Sequence, residues 1–100
     1  AERPFNPGGA YLPHRIAFLI FPRFQLLDAA GPIAAFEIAG RMRAGSYSLQ
    51  VIARTPGAIA SSSGVTLGAQ RLGRGHDIDT LVVAGGNGVR DALDPRKTFK

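Results

Sequence analysis

The sequence predicts an α/β fold: the N-terminal part of a doubly wound parallel sheet carrying a small β-hairpin, incomplete at 100 residues. Three observations lead there. Ile16 to Phe21 is an unbroken apolar run, rich in β-branched and aromatic residues and stopped by Pro22. A run without alternation reads as a strand buried on both faces, and it is shorter than the roughly 10 residues of a buried helix. Thr80 to Ala84 is a second such run, leading directly into Gly85-Gly86-Asn87-Gly88. Between the two lie a helix-forming stretch and an alternating strand, the order of a parallel βαβ unit.

Taken in order, residues 1–13 hold Pro4, Pro7, Gly8, Gly9 and Pro13 and read as a flexible N-terminal arm; residues 14–100 form the N-terminal half of a domain. His14 and Arg15 open the first strand. A turn runs from Pro22 to Gly31-Pro32, and Pro32 suits the first position of a helix over Ile33 to Met42. The alternative is a helix that starts at Leu26 and is kinked at Pro32. Ile33, Phe36 and Gly40 share one side of it with Ala34 and Ile38 beside them, while Glu37 and Arg41 pair toward water. Arg43 to Ser46 closes the helix. Tyr47 to Ala53 alternates as a strand, ended by Thr55-Pro56-Gly57. Ile59 to Ser61 and Val65 to Leu67 flank Ser62-Ser63-Gly64 as a small antiparallel hairpin. Gly68 to His76 reads as a polar connection, and Val89 to Leu93 as the start of a second helix cut by Asp94-Pro95. Two buried strands with one full helix describe half a doubly wound domain, the rest coming from further sequence or a partner chain.

Composition excludes several classes. Hydrophobic residues make up 45% of the 100-residue chain, enough for one small globular domain. No stretch approaches the roughly 18 apolar residues of a membrane span, and no secretory leader is visible, so a cytoplasmic protein without membrane contact is expected. There is no cysteine, which removes disulfides, thiolate metal sites and a cysteine nucleophile from this chain. The net charge of +5 rests largely on ten arginines, at 3, 15, 23, 41, 43, 54, 71, 74, 90 and 96. They form no stripe and no aromatics interleave with them, so they read as solvated surface charge rather than a nucleic-acid face. His14 and His76 lack ligand spacing; no metal and no cofactor is implied. Ser61 to Ser63 have no histidine base in a recognisable arrangement and read as turn residues.

The candidate site lies just past the first strand, where Asp28 stands in an otherwise apolar turn. In open α/β sheets the crevice outside the carboxyl ends of the strands is where ligands bind. Asp28 is then either a cap on backbone N–H groups at the helix start or a pocket carboxylate. Gly85, Gly86 and Asn87 either present backbone N–H groups to a ligand or form a tight strand-to-helix turn. They are no dinucleotide fingerprint, because the third glycine is missing at its offset.

The wording Phe18-Leu19-Ile20-Phe21-Pro22, Phe24-Gln25-Leu26-Leu27-Asp28-Ala29-Ala30-Gly31-Pro32 and Phe36-Glu37 resembles the ThiJ/PfpI family of the class I glutamine amidotransferase-like fold. So do Ser61-Ser62-Ser63-Gly64-Val65 and Leu81-Val82-Val83-Ala84-Gly85-Gly86-Asn87-Gly88. Within that family the Leu-Asp-x-x-Gly-Pro turn, Ile33-Ala34-Ala35-Phe36-Glu37 and the triple serine most resemble the N-terminal domain of AraC-type transcriptional regulators. The resemblance covers residues 14–94 and implies a flavodoxin-like sheet. It further implies a small-molecule effector bound near Asp28, Gly85, Gly86 and Asn87, and a homodimer. DNA would be contacted only by a C-terminal domain beyond this chain, with no catalytic residue within it. The alternative it implies is a fragment of a hydratase or hydrolase whose cysteine lies beyond residue 100.

Overall fold

The computed structural model describes residues 12–71 and 78–86. Along the chain these form β1 (His14–Leu19), α1 (Leu26–Met42), β2 (Tyr47–Ala53), β3 (Gly57–Ala60), β4 (Thr66–Arg71) and β5 (Thr80–Val83). The strands make one five-stranded mixed sheet in the order β3-β4-β2-β1-β5. The fold is α/β, as the apolar runs predict, and β1, α1 and β2 form the expected parallel βαβ unit.

β1 is the central strand, parallel to β2 on one side and to β5 on the other. Leu19 is opposite both Ile52 and Val83, so the three strands end together. Ile16, Ala17 and Phe18 are all buried. Consecutive side chains point to opposite faces, so burial of all three means both faces are covered here, as the absence of alternation implies. α1 lies on the face of Phe18: the Phe36 ring is 6.3 Å from Phe18 and 5.1 Å from Tyr47, centroid to centroid. The main core cluster sits toward the carboxyl end of the sheet, with Ile20, Phe21, Phe24, Ala29, Ala53, Ile59 and Ala84.

Four expectations are corrected. Pro32 does not open the helix: of the two starts the sequence allows, the structure has the one at Leu26, with Pro32 inside the helix at its seventh position. Proline removes the N–H that would bind the Asp28 carbonyl, yet Ala29 and Ile33 pack on the core from either side of that break. Packing outweighs the lost bond. Ala34 and Ile38 face solvent rather than the sheet, Ile38 being 56% exposed; with the helix continuous from Leu26, its buried side runs through Ala29, Ile33, Phe36 and Gly40. Glu37 and Arg41 do pair, at 2.8 Å.

The hairpin is longer than its sequence signal. β3 and β4 pair antiparallel from Gly57 opposite Ala69 to Ala60 opposite Thr66. Gly68 to Arg71, expected as a connection, is strand because Gln70 and Arg71 pair with Ile52 and Ala53 of β2. A neighbouring edge decides strand formation here, over weak intrinsic preference. Finally, β5 is not buried on both faces. It is an outer strand with only β1 beside it among the described residues, and Leu81 is 50% exposed. Residues 1–11 of the expected arm 1–13, His76, Asn87 and the helix expected at Val89 to Leu93 lie outside the described residues. Among the described residues no helix is long and apolar enough to cross a membrane.

Candidate functional site

Where β1 ends, the chain turns through Pro22-Arg23 and passes through the short segment Phe24-Gln25 before α1. This segment is wedged between two others. On one side the Arg23 N–H donates to the Ala60 carbonyl at 2.8 Å, and the Ser62 N–H donates to the Phe24 carbonyl at 2.9 Å. On the other side the Gln25 N–H donates to the Gly85 carbonyl at 2.7 Å. Phe24 thus bridges Ser61 and Gly86 at once, and its ring is fully buried beneath them. The hairpin turn, the start of α1 and the end of β5 are stitched into one ledge at the carboxyl end of the sheet.

Asp28 completes the stitching. Its carboxylate Oδ2 accepts from the Gly85 N–H at 2.9 Å. Both polar groups of Gly85 are therefore held by the first turn of α1, its N–H by Asp28 and its carbonyl by Gln25. Asp28 does not cap its own helix: the N-cap is Gln25, and no side-chain cap bond forms there. Its second oxygen, Oδ1, takes no hydrogen bond among the described residues, and Asp28 is exposed. The positive end of the α1 dipole adds a favourable field for a carboxylate in this turn.

Both glycines sit at close approaches, and at Gly86 the approach is to backbone. A Cβ on Gly85 would stand 2.8 Å from Asp28 Oδ2. At Gly86, φ is 137°, and a Cβ would meet the Arg23 carbonyl oxygen at 2.7 Å and the Gln25 nitrogen at 2.9 Å. Arg23 itself has φ 68°, left-handed for a residue with a side chain. Such backbone persists only where surroundings impose it, and here the Ala60 and Gly86 contacts do so.

The structure brings Asp28, Gly85 and Gly86 together; Asn87 lies outside the described residues. Ser61 is buried beside Phe24, and its hydroxyl is 2.9 Å from that of Ser63 within the hairpin turn, whose Gly64 N–H donates to the Ser61 carbonyl. Among the described residues no group of histidine, aspartate or glutamate is arranged to hold a metal. His14 and Arg15 belong to the opposite, amino end of the sheet. There His14 Nε2 meets Thr80 Oγ1 at 2.7 Å, and Arg15 pairs with Asp79 at 3.1 Å. Sequence reasoning missed the role of Arg23 and Phe24 as the wedge. The one legible signal was an aromatic residue two positions after a strand-ending proline.

No family model matches the chain. It is 36% identical over 80 residues to an uncharacterized protein in the cpoL 5' region of Streptomyces lividans, covering 77% of this chain and 55% of that one. An AraC family transcriptional regulator from Pseudomonas putida superposes with a TM-score of 0.70 at 25% identity, over 74% of this chain and 48% of that chain. A DJ-1 superfamily protein from Agrobacterium tumefaciens superposes with a TM-score of 0.58 at 21% identity, over 81% of this chain and 42% of that chain. The fold is shared with both. The chain spans about half the length of each of these proteins.

Proposed function

We propose that this chain is the N-terminal half of a ThiJ/PfpI-like domain that senses a small molecule within an AraC-type transcriptional regulator. The carrying observation is the Asp28 carboxylate at the carboxyl end of the sheet, fixed to Gly85 by one oxygen and with the other unbonded among the described residues. A fold whose ligands bind at that end places a recognition group there. The likeness to a regulator from Pseudomonas putida supports the same reading. The likeness to a DJ-1 superfamily protein supports the fold alone, and no separate observation favours a hydratase or hydrolase over a sensor. In this reading Asp28, Gly85, Gly86 and Asn87 line the site, this chain performs no catalysis, and DNA is bound by a domain outside it.

The test uses the full-length protein and two variants. Asp28→Asn keeps an acceptor for the Gly85 N–H and removes the charge; Asp28→Ala removes both. Asp28→Asn is expected to melt within a few degrees of wild type while ligand-dependent DNA binding falls about ten-fold or more. Asp28→Ala additionally loses about 1–2 kcal/mol of stability, because the Gly85 N–H loses its partner. Full ligand response in Asp28→Asn would reduce Asp28 to a structural tether.

The assembly in this reading is a homodimer. β3 is the outer strand of the sheet on the hairpin side, and its Gly57–Ala60 segment carries no charge to discourage pairing. Sedimentation of the full-length protein at micromolar concentration should give twice the monomer mass; a monomer contradicts it.

A further inference from the structure

The charges among the described residues are sorted by end of the sheet. Three acids are described there: Asp28, Glu37 and Asp79. At the amino end Arg15 is neutralised by Asp79, on the solvent face of α1 Arg41 is neutralised by Glu37, and Arg43 at the end of α1 also has a partner. The carboxyl end is different. Arg23 follows β1, Arg54 follows β2, and Arg71 is the last residue of β4, paired in register with Ala53 at the end of β2. All three are exposed, and none of their guanidinium groups makes an ion pair among the described residues. The acid at this end, Asp28, has one oxygen committed to Gly85. Among the described residues, three guanidiniums without an ion-pair partner stand with one carboxylate at the edge where ligands of open α/β sheets bind.

Two further features make this more than scattered surface charge. The Arg23 backbone is held in a left-handed conformation by the wedge, so its Cα position beside the ledge is fixed rather than incidental. The strand register sets the Arg71 backbone beside Ala53, the residue before Arg54, so both arginines belong to the carboxyl end of the sheet. An excess of positive charge at such an edge raises the local concentration of oppositely charged ligand. Guanidinium matches carboxylate and phosphate oxygens in a planar, two-bond geometry.

We infer that the site takes a small molecule bearing an anionic oxygen group, a carboxylate or a phosphate, held by the rim of Arg23, Arg54 and Arg71. The inference rests on the sensing reading above and names the class of its ligand. The unbonded Asp28 oxygen then faces a hydrogen-bond donor elsewhere on the same molecule, since a second carboxylate beside it would be repelled.

Thermal melting of the full-length protein tests this with inorganic phosphate and, separately, succinate, each against sodium chloride at equal ionic strength. The expected result is a rise in melting temperature with at least one of the two anions that chloride does not reproduce. A phosphate response marks a phosphorylated ligand and a succinate response a carboxylate. The Arg54→Gln/Arg71→Gln double variant should need about ten-fold more anion for the same rise. Arg23→Gly, which suits the left-handed backbone, should do likewise, whereas Arg41→Gln should match wild type. No anion response, a response that chloride reproduces, or equal midpoints in wild type and the rim variants overturns the inference. DNA binding that responds to a neutral or cationic small molecule, with the same midpoint in the rim variants, also overturns it while leaving the sensing reading in place.

Discussion

Gly86 shows how far a single residue governs the site. Its φ of 137° is a conformation that L side chains avoid, and its missing Cβ would lie 2.7 Å from the backbone oxygen of Arg23. Neither the carbonyl nor the wedge can move without breaking the Ala60 and Gly85 hydrogen bonds. Gly86→Ala should therefore cost about 2–3 kcal/mol in urea unfolding. Gly85→Ala should cost less, because the atom a Cβ would meet there is the end of the Asp28 side chain, which can rotate away. Equal tolerance of both would contradict the ledge as described. Sequence made Asp28 and both glycines legible, since an acid in an apolar turn and a Gly-Gly after a buried run are local signals. It could not show that Asp28 Oδ2 and Gly85 N–H meet across 57 positions, nor that Arg23 takes a left-handed backbone.

Elements followed sequence where their pattern was self-contained and departed from it where a neighbour decided. Tyr47–Ala53 was read to its ends, because alternation and the following Thr55-Pro56-Gly57 stop are both local. Gly68 to Arg71 was missed, because nothing in Gly-Ala-Gln-Arg favours strand until β2 offers its edge. For α1 the sequence allows a start at Pro32 or six residues earlier at Leu26, and the structure has the earlier one. That earlier start has a consequence. A proline at the seventh helical position removes a backbone bond to Asp28 and crowds its carbonyl. Pro32→Ala should raise stability by about 1–3 kcal/mol, read as a higher urea midpoint. A drop would mean that α1 reaches the core only through the bend that Pro32 imposes, with Ala29 on one side of it and Ile33 on the other.

At the scale of the molecule, the sheet is lopsided in a way that bears on function. Its hairpin side folds back so that Ser61 and Ser62 meet Phe24, while among the described residues its other side ends at β5 with Leu81 and Val83 exposed. Burial at the centre and exposure at one edge were only half visible in the sequence, where Leu81 to Ala84 is apolar throughout, as Ile16 to Phe21 is; strand order distinguishes them. What unites the molecule is the carboxyl end, which holds the core cluster, the Asp28 tether, the two glycines and three arginines that make no ion pair among the described residues. The account's central claim is that this end receives a small molecule and that Asp28 reports it. The most direct measurement is binding of the full-length protein to DNA from its own promoter region, with and without a panel of small metabolites, in wild type and Asp28→Asn. The account predicts that at least one metabolite changes wild-type affinity and that Asp28→Asn, still folded and still binding DNA, loses that change. Wild-type affinity that no metabolite alters, or a change that Asp28→Asn retains in full, would contradict it.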